Sequence, residues 1–220
     1  KIMQKNTSYN IKKITSEVNG KFKKIHQSRE IGLSLSREII GISSRSIRSA
    51  QRKDFKSSES LINEGLKKLN SSQKKIKNYS SDINTTFFLD GEKELCEAIF
   101  FLSFVSGYKI SKIKMELFSP SSILKGMAEA ASELRRTSLD SIRENNLTES
   151  ENYLQVMNEV VDLLESVDYP EGVTQGLRRT TDQLRSVVER TRGDITIALQ
   201  RNQLEEKIET FMKKIERKEE

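Results

Sequence analysis

The chain has 220 residues, 35% of them hydrophobic and 32% charged, with two prolines, no tryptophan and one cysteine. The lone Cys96 excludes a disulfide framework and points to a reducing, cytoplasmic setting, no run approaches the ~18 apolar residues of a membrane span, and no secretory signal pattern opens the sequence. The net charge of +6 is unevenly placed, with 19 Lys/Arg against 6 Asp/Glu in residues 1–80 and 19 against 26 in residues 81–220. A basic front half suits an anionic partner, nucleic acid being the commonest; an acidic back half suits carboxylate chemistry or helix pairing.

Apolar residues at Ile11, Ile14, Val18, Phe22 and Ile25, then Ile31, Leu35, Ile39, Ile42 and Ile47, recur every three or four positions. This spacing predicts one long helix over about Ser8–Lys53. A turn at Asp54 leads to a second helix, capped by Ser57 or Ser58 and ending in the polar run Asn78 to Asp82. The third, about Asp90 to Gly107, is apolar nearly all round and so belongs between other helices. A less regular piece, Tyr108 to Phe118, precedes Ser119-Pro120, a cap with proline at the first helical position. Further helices follow over about Ile123–Asn145 and from Thr148-Glu149. A last one, capped by Asp168, extends to about Arg217 with Gly193-Asp194 as its only soft point. No segment alternates as a strand, so the chain is expected to be all-α, a single domain over residues 1–220.

Two acidic pairs carry the candidate chemistry. Glu94 and Glu97 are three apart, and so share one side of the otherwise apolar third helix. There Glu97 falls among Phe100, Phe101 and Phe104, and a carboxylate removed from water has to be paired, protonated or bound to a cation. Glu129 and Glu133, four apart, share a helical strip with Gly126, whose missing side chain leaves room for something to approach the backbone. Each pair also admits a plain structural reading. Glu94 and Glu97 could pair with arginine, and Lys125–Glu129 and Glu133–Arg136 could be surface ion pairs worth about 0.2–0.5 kcal/mol. If the two helices pack side by side, the four glutamates form an oxygen-only set suited to Mg²⁺ or Mn²⁺. The only histidine, His26, lies far from both pairs and reads as a surface residue, so the Glu-x-x-His pattern of di-iron bundles is missing.

Several strings, in order, give the chain a resemblance to the translin/TRAX family, and within it to the archaeal TRAX-like (translin-associated factor X) form. They are Ser28-Arg29-Glu30 to Arg52 with Ser44-Arg45-Ser46-Ile47, Glu94-Leu95-Cys96-Glu97-Ala98, Leu124-Lys125-Gly126-Met127-Ala128-Glu129, and Ser132-Glu133-Leu134-Arg135-Arg136. Tyr169-Pro170, Leu177-Arg178-Arg179 and Arg190-Thr191-Arg192-Gly193-Asp194 extend them to about residue 200. The resemblance implies a subunit of seven helices with long first and last members, assembled as a homo-oligomer, an octameric barrel holding RNA or single-stranded DNA inside. It further implies a metal-dependent endoribonuclease. The family's ExxE falls on Glu94 and Glu97, and its DxxxE on Glu129 and Glu133, with glutamate where the family has aspartate.

On this reading Glu97 and Glu129 are the principal ligands of Mg²⁺ or Mn²⁺, while Glu94 and Glu133 complete the set or orient water. Arg45, Arg48, Arg52 and Lys53 are expected to contact phosphates, giving salt-sensitive affinity with little sequence preference. The alternative is a non-catalytic, translin-like RNA or single-stranded DNA binder.

Overall fold

In the computed structural model, which describes residues 2–77, 88–110 and 113–219, seven α-helices account for nearly all of the chain, and no strand occurs among the described residues. They are α1 (Ile2–Gln51), α2 (Phe55–Lys77), α3 (Leu89–Ser106), α4 (Pro120–Arg143), α5 (Leu147–Glu165), α6 (Glu171–Thr174) and α7 (Leu177–Glu219). None of them is long and apolar enough to cross a membrane. The polar run Asn78 to Asp82 lies outside the described residues.

The central member is α3. Leu95, Ile99, Phe101 and Leu102 lose essentially all contact with solvent, so its apolar circumference is covered by α1, α2 and α4. α4 carries the packing onward to α5 and α7. Small residues set how closely these helices approach. A Cβ on Gly65 of α2 would come within 2.8 Å of Leu95, and one on Gly91 of α3 within 2.9 Å of the Ser36 hydroxyl in α1. Between α1 and α2 the buried Ser46 and Ser58 hydroxyls bond to each other at 2.8 Å.

That serine pair corrects the expected start of α2. Ser58 is turned inward, and the cap is Asp54, whose carboxylate accepts from the Ser57 N–H at 3.1 Å. The hydroxyl and backbone bonds from Ser57 hold its carboxyl below the usual value. α4 begins as expected, with the Ser119 hydroxyl accepting from the Ser122 N–H and Pro120 opening the helix. α5 begins at Leu147, one residue before the expected Thr148, with the Asn146 side chain as its cap accepting from the Glu149 N–H.

The largest departure is at the last helix. Gln175 and Gly176 take left-handed backbone angles, φ 54° and 90°, and separate the one-turn α6 from α7. Pro170, not Asp168, stands at the start of α6, with no side-chain cap. Gly193 passes through unbroken helix; Asp194 pairs with Arg135 of α4 at 2.7 Å, which fastens α7 where the sequence suggests weakness.

The apolar stripe of α1 divides in two. Ile39, Ile42 and Ile47 are core residues, whereas Ile11, Ile14, Val18, Phe22 and Ile25 are between 42% and 63% exposed. The far part of α7 repeats this, with Ile197, Leu204, Ile208, Phe211, Met212 and Ile215 all exposed. Both ends are therefore apolar arms that this chain does not itself cover.

Candidate functional site

α3 and α4 cross at Gly126. A Cβ there would lie 2.5 Å from the Cys96 Cβ, 2.7 Å from the Lys93 carbonyl oxygen and 2.9 Å from the Glu97 nitrogen. What approaches the backbone of this glycine is therefore α3 itself. Cys96, fully buried, forms the floor of the contact, and burial, with the charge of Glu92, pushes its thiol well above the ordinary range. A buried, protonated thiol is inert.

The close crossing brings the acidic pairs together. Carboxylate oxygens of Glu94, Glu97 and Glu129 lie within 4.8 Å of one another, each side chain half-buried. Burial, reinforced by the charges of Glu94 and Glu129, pushes the Glu97 carboxyl up to about 8, since Lys93 only partly offsets them. Glu133 stands one step aside. Its carboxylate accepts from the Gln51 amide at the end of α1. Burial raises its pKa too, against the opposing pull of Arg136 and Gln51. It still adds to the field that holds a proton on Glu97.

Lys93 completes the arrangement. Its ammonium lies 2.7 and 2.8 Å from the two oxygens of Glu129 and 3.4 Å from Glu94. Burial alone would depress this group, but the hydrogen bond and charge of Glu129, with help from Glu94, hold it above its ordinary value. The expected surface pairs do not form: Glu129 pairs with Lys93, Glu133 takes Gln51, and Lys125 instead donates to the Gln175 carbonyl, bracing the turn before α7.

Spacing in the sequence does not by itself single out Lys93, Gln51 or Glu92. Lys93 has a legible signal, being the only basic residue of α3, set against Glu94 and four residues before Glu97. Gln51 has none, because its role depends on how α1 meets α4. Glu92, one turn before Cys96, is buried and fully engaged: it accepts from the Ser119 N–H at 2.9 Å and the Gln73 amide at 3.2 Å. It is a structural carboxylate on the helix that carries the candidate site.

Of the basic set, Arg45, Arg48, Arg52 and Lys53 are all exposed. Lys53, at φ 62°, pairs with Glu144 at 3.4 Å. The three arginines form no ion pair among the described residues. Arg48 is three residues before Gln51 and so shares its strip of α1, which places it toward the Glu133 edge of the site.

Chemically, the trio is an oxygen-only donor set with more negative charge than Lys93 offsets, as hard divalent cations require. The Lys93 ammonium rests against two of its members. The residues present fit Mg²⁺ or Mn²⁺.

No family model matches the chain. An uncharacterized protein of Methanocaldococcus jannaschii is 31% identical over 183 residues, spanning 81% of this chain and 79% of that protein. Among solved structures, the AfC3PO chain in a complex with duplex RNA is 30% identical, covers 84% of this chain and 95% of its own, and superposes with a TM-score of 0.69. AfC3PO in a further crystal structure is 28% identical with a TM-score of 0.71, over 84% of this chain and 96% of that one. Apo-NeC3PO, at 17% identity and a TM-score of 0.69 over 84% and 96%, shares the fold. Identity and helix order run together along most of both chains, and the protein belongs to the translin family, as C3PO chains do.

Proposed function

We propose that this chain is a TRAX-type endoribonuclease that binds RNA within an oligomeric barrel and hydrolyses its phosphodiester bonds with Mg²⁺ or Mn²⁺. The observation that carries the proposal is the half-buried trio Glu94, Glu97 and Glu129, contributed by two helices at a glycine crossing. With Glu97 protonated, Glu94 and Glu129 still carry two charges against the one of Lys93.

When bound, a divalent ion supplies Lewis-acid polarisation of a phosphodiester and a water activated at neutral pH. The chain's own residues prepare for it. Glu97 and Glu129 would be the principal ligands, with Glu94 beside them and Glu133 orienting water from its tether to Gln51. Glu97 holds a proton on its carboxylate up to about pH 8, and to serve as a ligand it would have to give that proton up. Phe100 and Phe104, stacked obliquely with centroids 6.1 Å apart on the same helix, keep that side of α3 apolar. Glutamate at position 129, where the family has aspartate, extends its carboxylate by one methylene.

Arg45, Arg48 and Arg52 offer exposed cations for phosphate contacts. AfC3PO has been solved with duplex RNA, which supports RNA as the partner here. The uncovered apolar arms of α1 and α7 support assembly into a homo-oligomer, an octamer as the family resemblance implies. With Cys96 free and no second cysteine to pair with it, the chain suits a reducing, cytoplasmic setting.

A specific observation favours a second reading, a non-catalytic RNA binder: Lys93 already neutralises part of the trio. The deciding experiment compares cleavage of a labelled RNA by the wild type and Glu97→Ala, with Mg²⁺, Mn²⁺ or EDTA. Metal-dependent cutting that is lost in the variant while RNA binding persists supports the nuclease. Binding without cutting under every condition leaves the binder.

A further inference from the structure

Lys93 occupies an unusual place for a lysine. Its side chain is 22% exposed, and its ammonium spans the crossing, from its own helix to both oxygens of Glu129 and to Glu94. A lysine that merely decorated α3 would keep its strongly hydrated head in water. Here the head is drawn between two helices, onto two of the three carboxylates that stand within 4.8 Å of one another. Because Lys93 engages both Glu129 oxygens, no carboxylate oxygen of α4 in the trio is left unshared. Any second cation that takes Glu129 must compete with it.

We infer, resting on the divalent-metal reading above, that Lys93 is a built-in counter-ion that holds the site in the metal-free protein and is displaced when a divalent cation binds. It is a positioning residue. It keeps Glu94 and Glu129 from repelling each other before loading, and it sets the free metal concentration at which loading occurs. The displaced ammonium moves toward solvent at the mouth of the crossing.

The test uses Mn²⁺ alone, with no RNA, on the full chain. Titration followed by electron paramagnetic resonance compares the wild type with Lys93→Met, which keeps an unbranched side chain one atom shorter and removes its charge, and with Lys93→Gln as a second substitution. Loss of a charge this close predicts Mn²⁺ binding at least about tenfold tighter in both variants. Displacement itself is read by mass spectrometry of reductive methylation: Lys93 should be modified slowly in the metal-free wild type and several-fold faster with saturating Mn²⁺. A lysine acting only through its field, without giving way, would tighten binding on removal yet show no metal-dependent change in methylation. That outcome would overturn the displacement. Equal or weaker Mn²⁺ binding in the variants would overturn the counter-ion role while leaving the metal site standing. Absence of binding in wild type and variants alike would overturn both the metal reading and this inference.

Discussion

The crossing of α3 and α4 and the free arms of α1 and α7 use the same residue types to opposite ends. At the crossing, glycine removes volume so that two backbones touch, and apolar side chains vanish from solvent. Along the arms, Gly20 has nothing within 4 Å of an added methyl, and Phe22 and Phe211 are each more than 60% exposed. Glycine and phenylalanine have no fixed meaning in a helix; their meaning comes from what packs against them. In the first region, the packing desolvates a carboxylate and gives it chemical potential. In the second, nothing else in the described chain covers the apolar side chains.

The contrast is most sharply tested by Gly126→Ala. Alanine gains about 1 kcal/mol of helix propensity, but a methyl meeting a rigid backbone costs about 3 kcal/mol. A net loss of ~2 kcal/mol is expected in urea unfolding, with weaker Mn²⁺ binding as the helices separate. Unchanged stability would mean that the crossing yields easily and does not fix the carboxylates.

Next comes pH. The folded metal-free protein holds the Glu97 proton up to about pH 8, against an ordinary value near 4.5, so folding favours the protonated form. This contribution is complete below the unfolded value and is lost as pH rises through about 8. Thermal midpoints of the metal-free wild type should fall across that window, and those of Glu97→Gln should fall less. Saturating Mg²⁺ should flatten the difference.

On the arm, Gly20→Ala should stabilise by up to about 1 kcal/mol, since nothing in this chain meets the added methyl; a loss would show that another copy packs closely against Gly20. The smallest effect on the fold itself is expected from Phe22→Glu and Phe211→Glu. Both lie on faces this chain leaves open, so unfolding of the separated subunit, read at concentrations too low for assembly, should shift by less than about 0.5 kcal/mol. Light scattering should nevertheless report a lower mass, which separates assembly from folding.

Much of this was legible before the structure. The three-and-four spacing along α1, the apolar circumference of α3 and the Ser119-Pro120 start of α4 each depend on local chemistry, and each element formed where that chemistry put it. The acidic pairs were visible by spacing alone. Less legible were features that depend on a partner element. Ser58 looked like a cap until Ser46 claimed its hydroxyl. Asp168 looked like the start of one long helix, but the break fell at Gln175, a residue type that seldom takes a left-handed angle. Lys93 was passed over because its reach to Glu129 spans 36 residues of sequence. The division of the α1 stripe into core and arm was hidden as well, since periodicity shows which face is apolar and not whether anything covers it.

The position of the crossing along the chain bears on how the molecule is made. α3 and α4 are separated only by residues 107–119, and Gln51, Lys93 and the four glutamates all precede α5. A chain emerging from the ribosome therefore carries every group of the acidic cluster before α5, α6 and α7 have been synthesised. Contacts between neighbouring helices close short loops and form quickly. The cluster is thus among the first parts of the fold that vectorial synthesis can complete, and the arm of α7 among the last.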